Sequence, residues 1–169
     1  MKMKKLLLST AMMLSLGLAG FGSAHAATAI GTLDVSATVG AVCSVTTTPV
    51  AFGAYSGAEI NTTGGVSVTC TNLTPYNITL DAGAHYDAVS GYRTIAQLSE
   101  TMPYVLFTPA GAPNEWGDAG YAGTYAFGSP VADTGNGAAQ PHTVNARLLA
   151  GASVSAGTYN DVVGVTVHY

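Results

Sequence analysis

The sequence predicts an all-β sandwich, and three observations carry that reading. Short stretches of alternating apolar and polar residues recur between clusters of Gly, Pro, Asn and Asp. No stretch beyond the N-terminal apolar run has the 3.6-residue period of an amphipathic helix. The two cysteines, Cys43 and Cys70, are an even pair in a chain that opens like an exported protein.

The export segment comes first. Lys2, Lys4 and Lys5 form a basic start, residues 6–21 are apolar, and Ala24-His25-Ala26 has the small-x-small pattern of a cleavage site. Residues 1–26 therefore read as a signal peptide, leaving 143 residues (169 minus 26) from Ala27 onward, enough for one domain with a core. A retained anchor is the rival. It fits less well because the apolar run is short for a span and the cleavage signal follows it directly. No later apolar run is long enough to cross a bilayer, and no Cys stands at the cleavage site to carry a lipid.

Residues 27–40 read as an extended arm and 41–169 as the domain. In the arm, Leu33, Val35, Ala37 and Val39 share one face, and Asp34, Ser36 and Thr38 the other. Further strands are expected at 43–47, 66–71, 76–80, 103–108, 124–127, 143–149 and 158–169. In the last of these, Val163, Val165 and Val167 point one way, and Gly164, Thr166 and His168 the other, up to Tyr169. Gly164 suits a close neighbour on its face. The Gly/Ala/Asp-rich stretch 111–122 reads as a loop anchored by the only tryptophan, Trp116, and 129–141 as a second long loop. Pro103 lacks an N–H, so its strand end should lie at a sheet edge or a bulge.

Charge narrows the function classes. After loss of the signal segment no lysine remains, and Arg93 and Arg147 face nine acidic residues, for a net charge of 2 − 9 = −7. Two arginines cannot track a phosphate backbone or hold an anionic membrane surface, so no nucleic acid and no membrane is expected as a partner. Charged residues make up only 8% of the chain, a density that suits a surface covered by other copies but is shared by many secreted β-proteins. Cys43 and Cys70 read as a structural disulfide. A metal pair or a redox pair fits poorly, since the spacing is not C-x-x-C and no ligand cluster accompanies either residue.

No catalytic constellation stands out in the sequence. His85, His142 and His168 lack metal-ligand spacing, and no G-x-S-x-G elbow, P-loop or dinucleotide fingerprint occurs. Asp87, Glu100, Glu115 and Asp118 read as solvated loop charges. No cofactor, no metal and no enzyme activity is expected. Asn61-Thr62-Thr63, Asn72-Leu73-Thr74 and Asn77-Ile78-Thr79 match the N-glycosylation pattern, which arises readily by chance in a Thr-rich chain.

An ordered set of motifs adds a resemblance. After the alternating arm and Cys43 come Phe52-Gly53, then Val66-Ser67-Val68-Thr69-Cys70-Thr71 and Tyr76-Asn77-Ile78-Thr79-Leu80-Asp81-Ala82-Gly83. Arg93, the stretch 102–107, Trp116-Gly117 and the closing G-x-Y-x-D-x-V-x-V-T-V-x-Y at 157–169 complete it. The set resembles the spore coat protein U family, which includes subunits of archaic chaperone–usher pili, over nearly the whole mature chain. A Tyr-Gly pair expected before Arg147 is missing.

The resemblance implies an incomplete immunoglobulin-like sandwich with one edge position empty, completed by donor-strand exchange. A periplasmic chaperone fills the empty position first. At an outer-membrane usher, the arm of the next subunit (a copy of the chain or a sister subunit) replaces it, giving a surface fimbrium for adhesion and biofilm formation. The residues matching the donor strand are Leu33, Val35, Ala37 and Val39; those of the terminal strand are Val163, Val165, Val167 and Tyr169. Two other readings stay open: a secreted coat protein with the same fold, and a minor or tip adhesive subunit. Tip subunits carry an extra N-terminal domain for which this chain has no room. Pattern alone does not separate a donated arm from the first strand of a closed monomer, nor does it say which strand position is empty.

Overall fold

A computed structural model describes residues 26–123, 125 and 127–169; all but the last residue of the signal peptide read at 1–26 and two positions of the strand expected at 124–127 lie outside the described residues. The chain divides between Ala37 and Thr38 into two units. Residues 26–37 have no regular secondary structure and are all exposed. The strand expected at 33–39 is therefore not assigned, and among the described residues its backbone has no ladder partner.

The second unit is all β. Its strands are β1 (Cys43–Thr48), β2 (Ile60–Cys70), β3 (Pro75–Leu80), β4 (Tyr86–Asp87), β5 (Tyr92–Gln97), β6 (Glu100–Phe107), β7 (Val131–Thr134), β8 (Ala139–Leu148) and β9 (Val165–His168). They form a six-stranded sheet of order β1-β2-β8-β6-β5-β4 and a three-stranded sheet of order β7-β3-β9, with every pairing antiparallel. The alternation read from the sequence places the core. Val66, Val68 and Cys70 of β2 and Val144, Ala146 and Leu148 of β8 are buried from the larger sheet, and Tyr76, Ile78 and Leu80 from the smaller one. Trp116, fully buried in the loop after β6, donates its indole N–H to the Ile78 carbonyl at 2.9 Å.

Several elements differ from expectation. β4, β5 and β7 had no clean alternation to reveal them, and β7 with the start of β8 occupies the stretch read as a loop at 129–141. The described residues of 124–127 lie in no strand. Pro103 sits in β6, an interior strand, and not at an edge. It is tolerated because the β6–β8 ladder begins one residue later, at Tyr104 opposite Leu148. On the β5 side Pro103 faces Thr94, whose own N–H turns away to the His85 carbonyl. The missing N–H thus costs no bond to β5, and the Pro103 carbonyl still accepts from Leu149 N at 3.0 Å. Among the described residues no helix is long and apolar enough to cross a membrane.

Candidate assembly groove

β1 closes one sheet and β9 the other, and the two edge strands are neighbours in space on the same side of the sandwich. Backbone alternation identifies what each edge leaves unpaired. Val42 turns its carbonyl to Thr71 N, so Cys43, Val45 and Thr47 turn their N–H and C=O groups outward. Val162 and Gly164 turn their carbonyls to Ala84 N and Asp81 N, so Val163, Val165 and Val167 present theirs at the other free edge.

Between the sheets at this side lies a groove of about 1100 Å³, floored by Leu80, Met102, Tyr104, Leu106, Val144 and Leu148. Two extended segments without ladders rim it. Val50, Phe52 and Tyr55 lean inward from one, and Ala152, Val154, Tyr159 and Val163 from the other; all are only partly buried against the core. Val45 of β1, at the sheet edge, is 40% exposed, and no described element covers that side of its strand.

Carboxylates fasten the wall formed by 155–164. Glu100 accepts from Ser155 N at 2.9 Å, Ser155 Oγ at 3.1 Å and Tyr159 OH at 2.6 Å. The Tyr159 bond, then the Ser155 amide, holds the Glu100 carboxyl below its ordinary range, while the same bond pushes the Tyr159 phenol up to about 12. Asp161, with a side chain only 3% exposed, accepts from Ala84 N at 2.9 Å, His85 N at 3.1 Å and Tyr104 OH at 2.5 Å, with His85 Nδ1 at 3.1 Å. Burial first, then the Asp161 bond, drives the Tyr104 phenol well above its usual value. Gly164 gives its N–H to Asp81 Oδ1 at 2.8 Å, and a Cβ there would lie 2.4 Å from Asp81 Oδ2. A larger residue would have to push the Asp81 carboxylate aside, so glycine suits this close approach. Within 158–164 these bonds stand beside an isolated two-way backbone pairing of Asn160 with Ala96, and the regular strand β9 starts at Val165 and not at 158.

The residues singled out in the sequence fall on two units. Val163, Val165 and Val167 are partly buried and pack on the core, and Tyr169 is 62% exposed at the end of the terminal strand. Leu33 is 89%, Val35 87% and Val39 81% exposed, and Ala37 is exposed as well. Cys43 and Cys70 are bonded to each other, directly opposite across β1 and β2. Glu100, read as a solvated loop charge, is instead the first residue of β6 and holds Ser155 and Tyr159, while Asp81 and Asp161 stood in the quoted motifs without a role. Asp118 is not a solvated loop charge: it is 3% exposed and accepts from Tyr125 N at 3.1 Å. Among the described residues no three His, Cys, Asp or Glu side chains group as metal ligands would.

The Spore Coat Protein U domain matches residues 29–166. The chain belongs to the Spore Coat Protein U domain family. Protein U of Myxococcus xanthus is 30% identical over 171 residues, covering 90% of this chain and 91% of that protein. A chain in the crystal structure of the CsuC-CsuE chaperone-tip adhesion subunit pre-assembly complex, from archaic chaperone-usher Csu pili of Acinetobacter baumannii, is similar in fold. Its TM-score is 0.53 at 19% identity, covering 78% of this chain and 41% of that one. At that identity the likeness is one of fold. The Spore Coat Protein U domain here is thus an all-β, immunoglobulin-like sandwich.

Proposed function

We propose that this Spore Coat Protein U domain protein is a structural, non-enzymatic subunit of a surface pilus, and that it polymerises by inserting residues 27–40 into the groove of the next copy. The observation that carries the reading is a match between two unfilled surfaces. The groove has two unpaired strand edges and an apolar floor, and the arm has an alternating apolar face 81–89% exposed at Leu33, Val35 and Val39. A strand lying between β1 and β9 would pair with both edges and cover the floor, which is strand addition in its ordinary form. The empty position in this reading is thus the one between β1 and β9.

Magnitudes favour a firm link. Burying three large apolar side chains at ~1.5–3 kcal/mol each, with a smaller part from Ala37, gives on the order of 5–10 kcal/mol before any ladder bond. Ordering the arm opposes this. An exposed apolar groove would aggregate in the periplasm, so a chaperone strand occupies it before an outer-membrane usher hands it to the next arm. The assembled fimbrium is then displayed at the cell surface, in adhesion and biofilm formation.

Val35→Asp tests the reading. It places a carboxylate in the next copy's apolar groove, where an unpaired charge costs several kcal/mol. Heat-sensitive multimers should disappear from gels while the soluble chaperone-bound subunit persists. Ser36→Asp, on the opposite face of the arm, should be far milder. Loss of the chaperone-bound subunit as well would assign the arm to its own domain and overturn the proposal.

A further inference from the structure

The arm's root is held far more firmly than the arm. Thr71, the first residue after β2, gives its backbone N–H to the Val42 carbonyl at 2.9 Å. Its hydroxyl oxygen accepts the Val42 N–H at 3.1 Å. The single hydroxyl proton has two carbonyls in reach, Gly40 O and Val42 O, both at 3.3 Å. One residue further along, Cys43 is covalently tied to Cys70, the residue before Thr71. One threonine and one disulfide therefore fix the chain from Val42 inward, and the hydroxyl reaches back as far as the Gly40 carbonyl.

Gly40 itself has neither of the usual structural reasons to be glycine. A Cβ added there would meet nothing within 4 Å, and its φ lies outside the left-handed region. What remains is torsional freedom. The arm's alternation ends at Val39, directly before it.

We infer that Gly40 is the swivel between consecutive copies and that Thr71 is the positioning residue that limits its travel. The inference rests on the donor-strand reading, in which Val39 is seated in the next copy and Val42 is held in its own. Only Gly40 and Ala41 then lie between two rigid domains. From Val39 to Val42 the chain takes three extended steps, at most about 11 Å, so neighbouring domains sit close, and polymer stiffness is governed by the Gly40 torsions and the Thr71 hydroxyl.

The test uses polymers of the full chain, isolated from cells that assemble them, with persistence length measured from electron micrographs. Thr71→Val removes the hydroxyl but keeps the backbone bond; it should shorten the persistence length, and Thr71→Ser should restore it. Gly40→Ala should change it in the opposite sense, toward a stiffer polymer. Should Thr71→Val fail to fold, Gly40→Ala decides alone, since residue 40 packs on nothing. Polymers that form normally but bend alike in every variant would overturn the swivel while leaving strand donation intact. Multimers that survive Val35→Asp would instead remove the donor-strand reading itself.

Discussion

The guanidinium of Arg93 lies over the ring of Tyr125, its central carbon 3.8 Å from the ring centroid, and the side chain is wholly shielded from solvent. Arg93 projects from β5 of the larger sheet and donates Nε to the Asp81 carbonyl at 2.8 Å and Nη2 to the Leu80 carbonyl at 3.0 Å, at the end of β3. It therefore pins one sheet to the other. Nη1 has no hydrogen-bond partner among the described residues and stands 3.8 Å from Glu115 Oε1, while Tyr125 OH bonds to the same carboxylate oxygen. Burial pulls the Arg93 pKa down, against the nearby Tyr125, Tyr104 and Glu115.

Arg93→Lys should therefore be strongly destabilising although it keeps the charge. A lysine cannot serve both carbonyls as a fork or lie flat on the ring. Breaking a buried charged network of this kind costs about 3–5 kcal/mol. Tyr125→Leu, which removes the ring face, should cost about 2 kcal/mol from the cation–π contact alone. Urea titration of the purified protein measures both. Near-native stability of Arg93→Lys would refute the pin.

Trypsin offers a second check. From Ala27 onward, Arg93 and Arg147 are the only residues trypsin can cut after. The first is 0% exposed, and the second lies within β8 with its side chain bonded to Asn61 and Glu59. Native protein should resist trypsin. Rapid cutting after Arg147 would show that β8 opens locally.

The disulfide should be complete in exported protein, so thiol labelling of denatured, unreduced protein should find no free thiol. Replacing both cysteines by serine should cost about 3.5 kcal/mol in the chain-entropy model for a loop of this length. Two free thiols per chain would contradict the bonded pair.

Stability should fall on acidification in two stages. His142 is buried, with its Nε2 3.0 Å from Tyr76 OH and 3.7 Å from Asp133 Oδ2; burial lowers its pKa, opposed by Asp133. The folded protein thus binds the imidazole proton less readily than the unfolded chain, where histidine titrates near ~6.5. Its contribution is present above that pH and is lost as pH falls below it. Glu100, with its pKa lowered by Tyr159 and the Ser155 amide, adds a second loss below the ordinary glutamate value of ~4.3. Denaturation midpoints measured against pH should show both, and His142→Gln should flatten only the upper limb. An unchanged upper limb would acquit His142.

Filling the groove should protect specific amides. The N–H groups of Val163, Val165 and Val167 face the free edge of β9, so a synthetic peptide of residues 29–40 should slow their hydrogen exchange. Thr166 and His168, already paired with Thr79 and Asn77 of β3, should change little. Equal effects on both sets would place the peptide elsewhere.

The amino-acid sequence alone determined the faces. Period-2 alternation is local, so the inward residues of β2, β8 and β9, the apolar face of the arm, the buried anchor Trp116 and the paired cysteines were all legible from it. Partnership is not local. Which edges remain unpaired, where Pro103 can sit in an interior strand, and why Arg93 needs no solvent depend on segments far apart in the chain. β4, β5 and β7 are short or lack alternation, so pairing and not pattern makes them strands. The groove between β1 and β9 is likewise written in no single stretch: it exists because two sheets end side by side, and among the described residues no strand pairs with either edge.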